Sequence, residues 1–171
     1  MERKEFALLA ETLSTAYKKE NILSDIDTIE LWYTMLKDLP YDLTAKAVQK
    51  WITTEKWSPS IAEIREAVTS MTMTIPDWSE AWENVIRMIH KHGTWNVEEA
   101  MNGMDELTRK CVKRLGFVNI CNSENIGVER ANFRQIYEAE AQRAMTNAQL
   151  PERLRALTEQ TIDRLEQHEE V

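Results

Sequence analysis

Apolar residues return every three or four positions along most of this chain, the period of a helix buried on one side. Phe6, Leu9, Leu13 and Tyr17 share a face and predict a first helix over residues 3–18. Ile29, Trp32, Leu36 and Leu39 are the stripe of a second, over 25–39, with Asp25, Asp27 and Glu30 towards the positive end of its dipole. Pro40 stops that helix and can open the next, since its ring fixes φ and supplies no N–H. Leu43, Ala47, Val48, Trp51 and Ile52 form the apolar face of a third, to about residue 54. After a loop over 55–59, Ser60 and Glu63 fit a capping box. Ile61, Ile64, Val68 and Met71 then fall on one side of a fourth helix.

Residues 69–76, Thr-Ser-Met-Thr-Met-Thr-Ile-Pro, break the charge pattern and end in proline, which marks a candidate boundary. Beyond it Asp77 is placed to cap a helix with Trp78, Trp82, Val85 and Ile89 in register, closed by Gly93. Asn96 can cap a short helix that turns Val97, Ala100, Met101 and Met104 inward. Asp105 caps another, carrying Leu107, Cys111 and Leu115 and closed by Gly116. Residues 117–127 read as irregular, with room for one short extended piece. A long helix follows over 128–147, with Phe133, Ile136, Tyr137 and Ala144 aligned. A last one, from 151 to about 169, repeats Leu150, Leu154, Leu157, Thr161 and Leu165 against a polar back. The whole amounts to about nine helical segments and no firm strand. The expected fold is all-α: two small helical bundles in tandem, over 1–72 and 77–147, with a C-terminal amphipathic helix over 148–171.

Composition agrees with this pattern. Only 4 Gly and 4 Pro occur in 171 residues, with 43% hydrophobic and 29% charged side chains, so the chain can bury a core. A net charge of −8 makes it a poor non-specific nucleic-acid binder, because phosphate neutralisation needs clustered cations. The same charge suits docking to a basic protein surface. Two cysteines make no disulfide framework. No window approaches the roughly 20 apolar residues of a membrane span, and the N-terminus has no signal-type apolar run. A cytoplasmic location and no membrane partner are expected.

Catalytic chemistry finds little to stand on. His90 and His92 are two apart on a helix and point different ways, so they suit no shared metal; His168 lies in the tail. Cys111 sits on an apolar stripe and reads as a small buried hydrophobe, while Cys121 has no histidine close in sequence. No glycine-rich phosphate loop of the form G-x-x-x-x-G-K-[ST] is present. No cofactor or metal is expected, and an enzyme is the least supported class. Trp32, Trp51, Trp78 and Trp82 occupy core-stripe positions, whereas Trp57 and Trp95 fall in loops and are better placed for surface contacts. Arg109, Lys110, Lys113 and Arg114 lie along one side of a single helix and can contact phosphates, with Arg130 and Arg134 as candidate neighbours.

Trp32, the turn Lys37-Asp38-Leu39-Pro40, the alanines from Ala45 to Ala47 and the helix start Pro59-Ser60-Ile61-Ala62-Glu63-Ile64 together resemble the N-terminal domain of the phage replicative-helicase loader/inhibitor family. The likeness covers roughly residues 5–70. A weaker one extends over residues 78–93 and over Val128-Glu129-Arg130-Ala131-Asn132-Phe133-Arg134 with Tyr137. The resemblance implies a small helical protein in the bacterial host cytoplasm that binds a hexameric DnaB-type helicase during phage DNA replication. It implies loading or inhibition by stoichiometric binding without ATP hydrolysis, and an origin-binding initiator as a further possible partner. In that family the C-terminal region engages the helicase. Here Leu154, Leu157 and Leu165 have the spacing of helix-in-groove anchors, with Arg153 and Arg155 at the rim. Two other readings stay open: a DNA-binding replication or regulatory module built on the basic helix, and a structural phage protein.

Overall fold

The computed structural model describes residues 1–169, with side chains throughout except at 159 and 162–169. Among these residues it contains ten helices and no strand. They are α1 (Arg3–Ala16), α2 (Ile26–Leu36), α3 (Tyr41–Thr54), α4 (Ile61–Thr72), α5 (Trp78–His92), α6 (Val97–Asn102), α7 (Glu106–Leu115), α8 (Phe117–Cys121), α9 (Ile126–Gln149) and α10 (Glu152–Glu169). None is long and apolar enough to cross a membrane. The chain divides into two compact units, Met1–Thr74 with Thr146–Val171, and Ile75–Met145.

In the first unit the predicted stripes turn inward. Phe6, Leu9, Leu13 and Tyr17 of α1, Trp32 and Leu36 of α2, Ala47 and Val48 of α3, and Ile64 and Val68 of α4 are all buried, with Leu39 between α2 and α3. Each fully buried aliphatic or phenyl side chain in such a core contributes about 1.5–3 kcal/mol. The helix ends are set locally. The Asp25 side chain accepts from the Thr28 amide at 2.8 Å, and Pro40 is the N-cap of α3. Ser60 and Glu63 form the reciprocal capping box at the head of α4. Two expectations change on α4. The helix continues to Thr72, through the start of the segment read as a boundary, and Met71 is exposed. The face that turns inward is rotated so that Arg65 and Thr69 are buried beside Ile64 and Val68.

In the second unit the core is aromatic. Trp82 lies 5.2 Å from Phe133 and Phe133 lies 5.5 Å from Tyr137, ring centre to ring centre, with Val85, Val112, Cys111 and Ile120 around them. The Tyr137 hydroxyl donates to the Pro76 carbonyl at 3.1 Å, which satisfies its polar end. Asp77 and Asp105 cap α5 and α7 through their side chains. Asn96 stands at the N-cap of α6 but makes no side-chain cap bond. Gly93 (φ 57°) and Gly116 (φ 87°) close α5 and α7 in the left-handed region that glycine enters without a Cβ penalty. Residues 117–121 are helical, not extended, because Phe117 and Ile120 recur at helical spacing and are both buried. The long helix, α9, begins at Ile126 and ends at Gln149, two residues beyond the predicted limit at each end.

Candidate partner-binding surfaces

The approach to α10 is built on one buried cation. Arg65 is only 4% exposed. Its NH1 donates to the Met35 carbonyl at 2.6 Å and to Asp38 Oδ1 at 2.7 Å, its NH2 donates to Asp38 Oδ2 at 2.8 Å, and its Nε donates to the Gln149 carbonyl. A guanidinium suits this place because its planar fork meets a carboxylate and two carbonyls at once. Asp38 Oδ2 also accepts the backbone N–H of Glu152 at 3.2 Å, at the first residue of α10. Burial raises the Asp38 carboxyl, but the Arg65 hydrogen bonds and charge, with the Glu152 amide, outweigh it and hold the group below the usual carboxylate range. One ion pair therefore ties the α2–α3 corner and α4 to the last residue of α9 and the first of α10. The sequence carried a signal for it: Arg65 is four residues after Ile61 and three before Val68, inside the apolar stripe.

Beyond this anchor Leu154 and Leu157 are 44% and 50% exposed on α10. Arg153 beside them is exposed. Arg155 is half-buried, and its NH2 donates to the carbonyls of Ala148 and Leu150 at 3.0 and 3.2 Å, closing the turn between α9 and α10. Leu165 lies outside the residues whose side chains are described, as does His168.

The basic helix, α7, splits its cations between two tasks. Arg109 is half-buried; its Nε donates to Met101 O at 3.0 Å and its NH2 to Met104 O at 2.9 Å. Its guanidinium thereby braces the loop between α6 and α7 from within α7. Lys110 and Arg114 point instead at Glu140 of α9, at 2.7 and 3.6 Å, and Arg143 joins them at 2.7 Å. Glu140 is buried, and Lys110 first of all, with Arg143, holds its carboxyl low against the opposing effect of burial. Lys113 is exposed and has no ion-pair partner among the described residues. Glu140 and Arg143 were not singled out from sequence. The i, i+3 spacing of a Glu and an Arg on a helix is common, and only the fold brings α7 alongside. Arg130 and Arg134 sit over the Trp78 ring, 5.2 and 4.9 Å from its centre.

The remaining candidates separate by burial. Trp32 and Trp82 are buried and Trp51 and Trp78 half-buried, while Trp57 and Trp95 are 67% and 93% exposed. Trp51 Nε1 donates to the Trp57 carbonyl at 2.9 Å, so these two residues fix the α3–α4 loop. His90 is exposed; His92 is half-buried, its Nδ1 3.4 Å from a Glu99 carboxylate oxygen. Burial, with the charge of Glu140 second, pushes the Cys111 thiol up to about 11, and burial also raises Cys121, so neither is a ready thiolate. A cleft of about 550 Å³ opens among Trp82, Ile86, Ile89, Ile120, Cys121 and Arg130. No group of three or more His, Cys, Asp or Glu among the described residues is arranged to hold a metal.

No curated protein and no solved structure matches the chain. Residues 1–65 match the family model for the N-terminal domain of the phage helicase inhibitor/loader proteins. They hold α1, α2, α3 and the start of α4, including the Ser60–Glu63 box and Arg65. The N-terminal stretch of this chain is therefore similar to the N-terminal domain of the phage helicase inhibitor/loader proteins, over residues 1–65.

Proposed function

We propose that this chain is a phage replication protein that binds a hexameric DnaB-type helicase and acts as its loader or inhibitor. The match of residues 1–65 to the N-terminal domain of the inhibitor/loader family carries the reading. The exposed Leu154 and Leu157 supply a contact surface for it. Leucines three apart on one helical face are the anchors of a helix seated in an apolar groove, with Arg153 at the rim to steer encounter. Leu165 continues the same spacing in the sequence. The sequence has no phosphate-loop motif, so the work comes from binding: a surface that prefers one conformation of the ring shifts the ring towards it, whereas equal affinity for both shifts nothing. An origin-bound initiator is the partner that would receive the ring, in the cytoplasm of the bacterial host.

The test is capture of a purified DnaB-type hexamer by the full chain, followed by size-exclusion chromatography in moderate salt. Co-elution is expected with the native chain and loss of it with Leu154→Asp and Leu157→Asp together. Both positions are half exposed, so the melting curve should stay in place. Co-elution that survives the double substitution moves the contact off α10; no co-elution with the native chain defeats the reading.

A further inference from the structure

We infer that Lys110, Lys113, Arg114 and Arg143 form a contact site for the phosphate backbone of duplex DNA, organised by the buried carboxylate of Glu140. This goes beyond the helicase reading and does not rest on it, since it concerns α7 and α9 and leaves α10 aside.

A buried carboxylate needs one cation to be neutralised. Glu140 has Lys110 Nζ at 2.7 Å, Arg143 NH1 at 2.7 Å and Arg114 NH1 at 3.6 Å. Lys113 adds a fourth positive charge one turn along α7 from Lys110 and next to Arg114. Three cations thus converge on one buried carboxylate with Lys113 beside them, on a chain whose net charge is −8; Asp105 and Glu106, at the start of α7, are the acidic groups nearest along that helix. Like charges held this close repel, and an added anion such as a phosphate relieves that repulsion.

The cations also face outward. The side chains of Lys110, Arg114 and Arg143 remain 68%, 63% and 71% exposed while that of Glu140 is 5% exposed. Each arginine commits one nitrogen to Glu140 and keeps further N–H donors, in the fork geometry that fits a phosphate. Arg109 stands apart, because its guanidinium is already committed to the Met101 and Met104 carbonyls. The cluster has no aromatic ring on which a base could stack, so it addresses the backbone and carries no sequence preference. Duplex DNA offers one negative charge per about 1.7 Å of axis, a density that three cations on α7 and one on α9 can engage at several points.

Binding of a fluorescent duplex of about 20 base pairs to the full chain, followed by anisotropy across a salt series, tests this. Binding is expected near 50 mM salt, with log K falling against log salt at a slope of about −2 to −3. Lys113→Glu with Arg143→Gln should weaken binding at least tenfold and flatten the slope by about two. Lys46→Glu with Lys50→Gln, the same charge change on exposed positions of α3, should leave both nearly unchanged. Lys113→Glu alone touches no partner of Glu140 and should flatten the slope by about one, which covers the case where the double variant unfolds. Absence of binding near 50 mM salt, or equal loss in the two double variants, overturns the inference. So does displacement of the duplex by poly-glutamate as readily as by unlabelled DNA, which would assign the cluster to acidic protein surfaces.

Discussion

At the scale of single residues the most consequential side chain is Arg65. Breaking a buried ion pair by removing one partner typically costs about 3–5 kcal/mol, because the other charge is left without compensation. Arg65→Ala should fall in that range by urea denaturation, since Asp38 and two carbonyls lose their donor together. Asp38 also predicts an acid response. Its carboxyl is held below the ordinary value of about 3.9, so its contribution is fully present above that value. The contribution is lost as pH falls through the lower, folded value. Urea unfolding from pH 6 down to about 3 should show native stability dropping more steeply than that of Asp38→Asn, which has no such carboxylate to protonate. Glu140, also held low, keeps part of the acid response in both proteins. Arg65 was legible in sequence as a charged residue inside an apolar stripe. Its partners were not, because Asp38 and Gln149 lie 27 and 84 residues away and no local spacing links them. Met71 shows the converse: the period placed it inside, and the small rotation that buries Arg65 and Thr69 leaves it in solvent.

At the scale of elements the ends of helices decide most. The Ser60–Glu63 box satisfies two backbone donors at the head of α4, and Ser60→Ala should lower stability by about 1 kcal/mol in thermal or urea melts. Gly116 is a harsher position. Its φ of 87° lies where a side chain is strained, and a Cβ there would come within 2.6 Å of Asn119 Nδ2. Gly116→Ala should therefore cost more than the roughly 1 kcal/mol of an ordinary misfit glycine replacement, and pairing it with Asn119→Ala should recover only the steric part. Caps and closing glycines were readable because each rests on residues within four of one another. The stretch after Gly116 misled for the same reason: five residues are too short to show a period, and only the burial of Phe117 and Ile120 reveals a helix.

At the scale of the whole molecule, the all-helical class follows from stripes that run nearly the length of the chain, and ten helices among the described residues follow them. The cations of α7 were visible in the sequence, but their gathering on Glu140 belongs to packing between distant segments, whereas Arg109 turns back onto carbonyls only 8 and 5 residues before it. Which unit takes the chain from Thr146 onwards likewise has no local signature; it depends on the Gln149 carbonyl and the Glu152 amide meeting Arg65 and Asp38. That arrangement has a consequence for the order in which the protein is made. The first unit needs a carbonyl encoded 84 residues after the arginine that binds it, with the whole second unit in between. At about 5–20 residues per second, a ribosome leaves Arg65 without that acceptor for about 4–17 s. During that interval the nascent N-terminal domain carries an incompletely satisfied guanidinium. Arrest of translation near residue 120 should leave it more open to protease than the same residues in the finished chain.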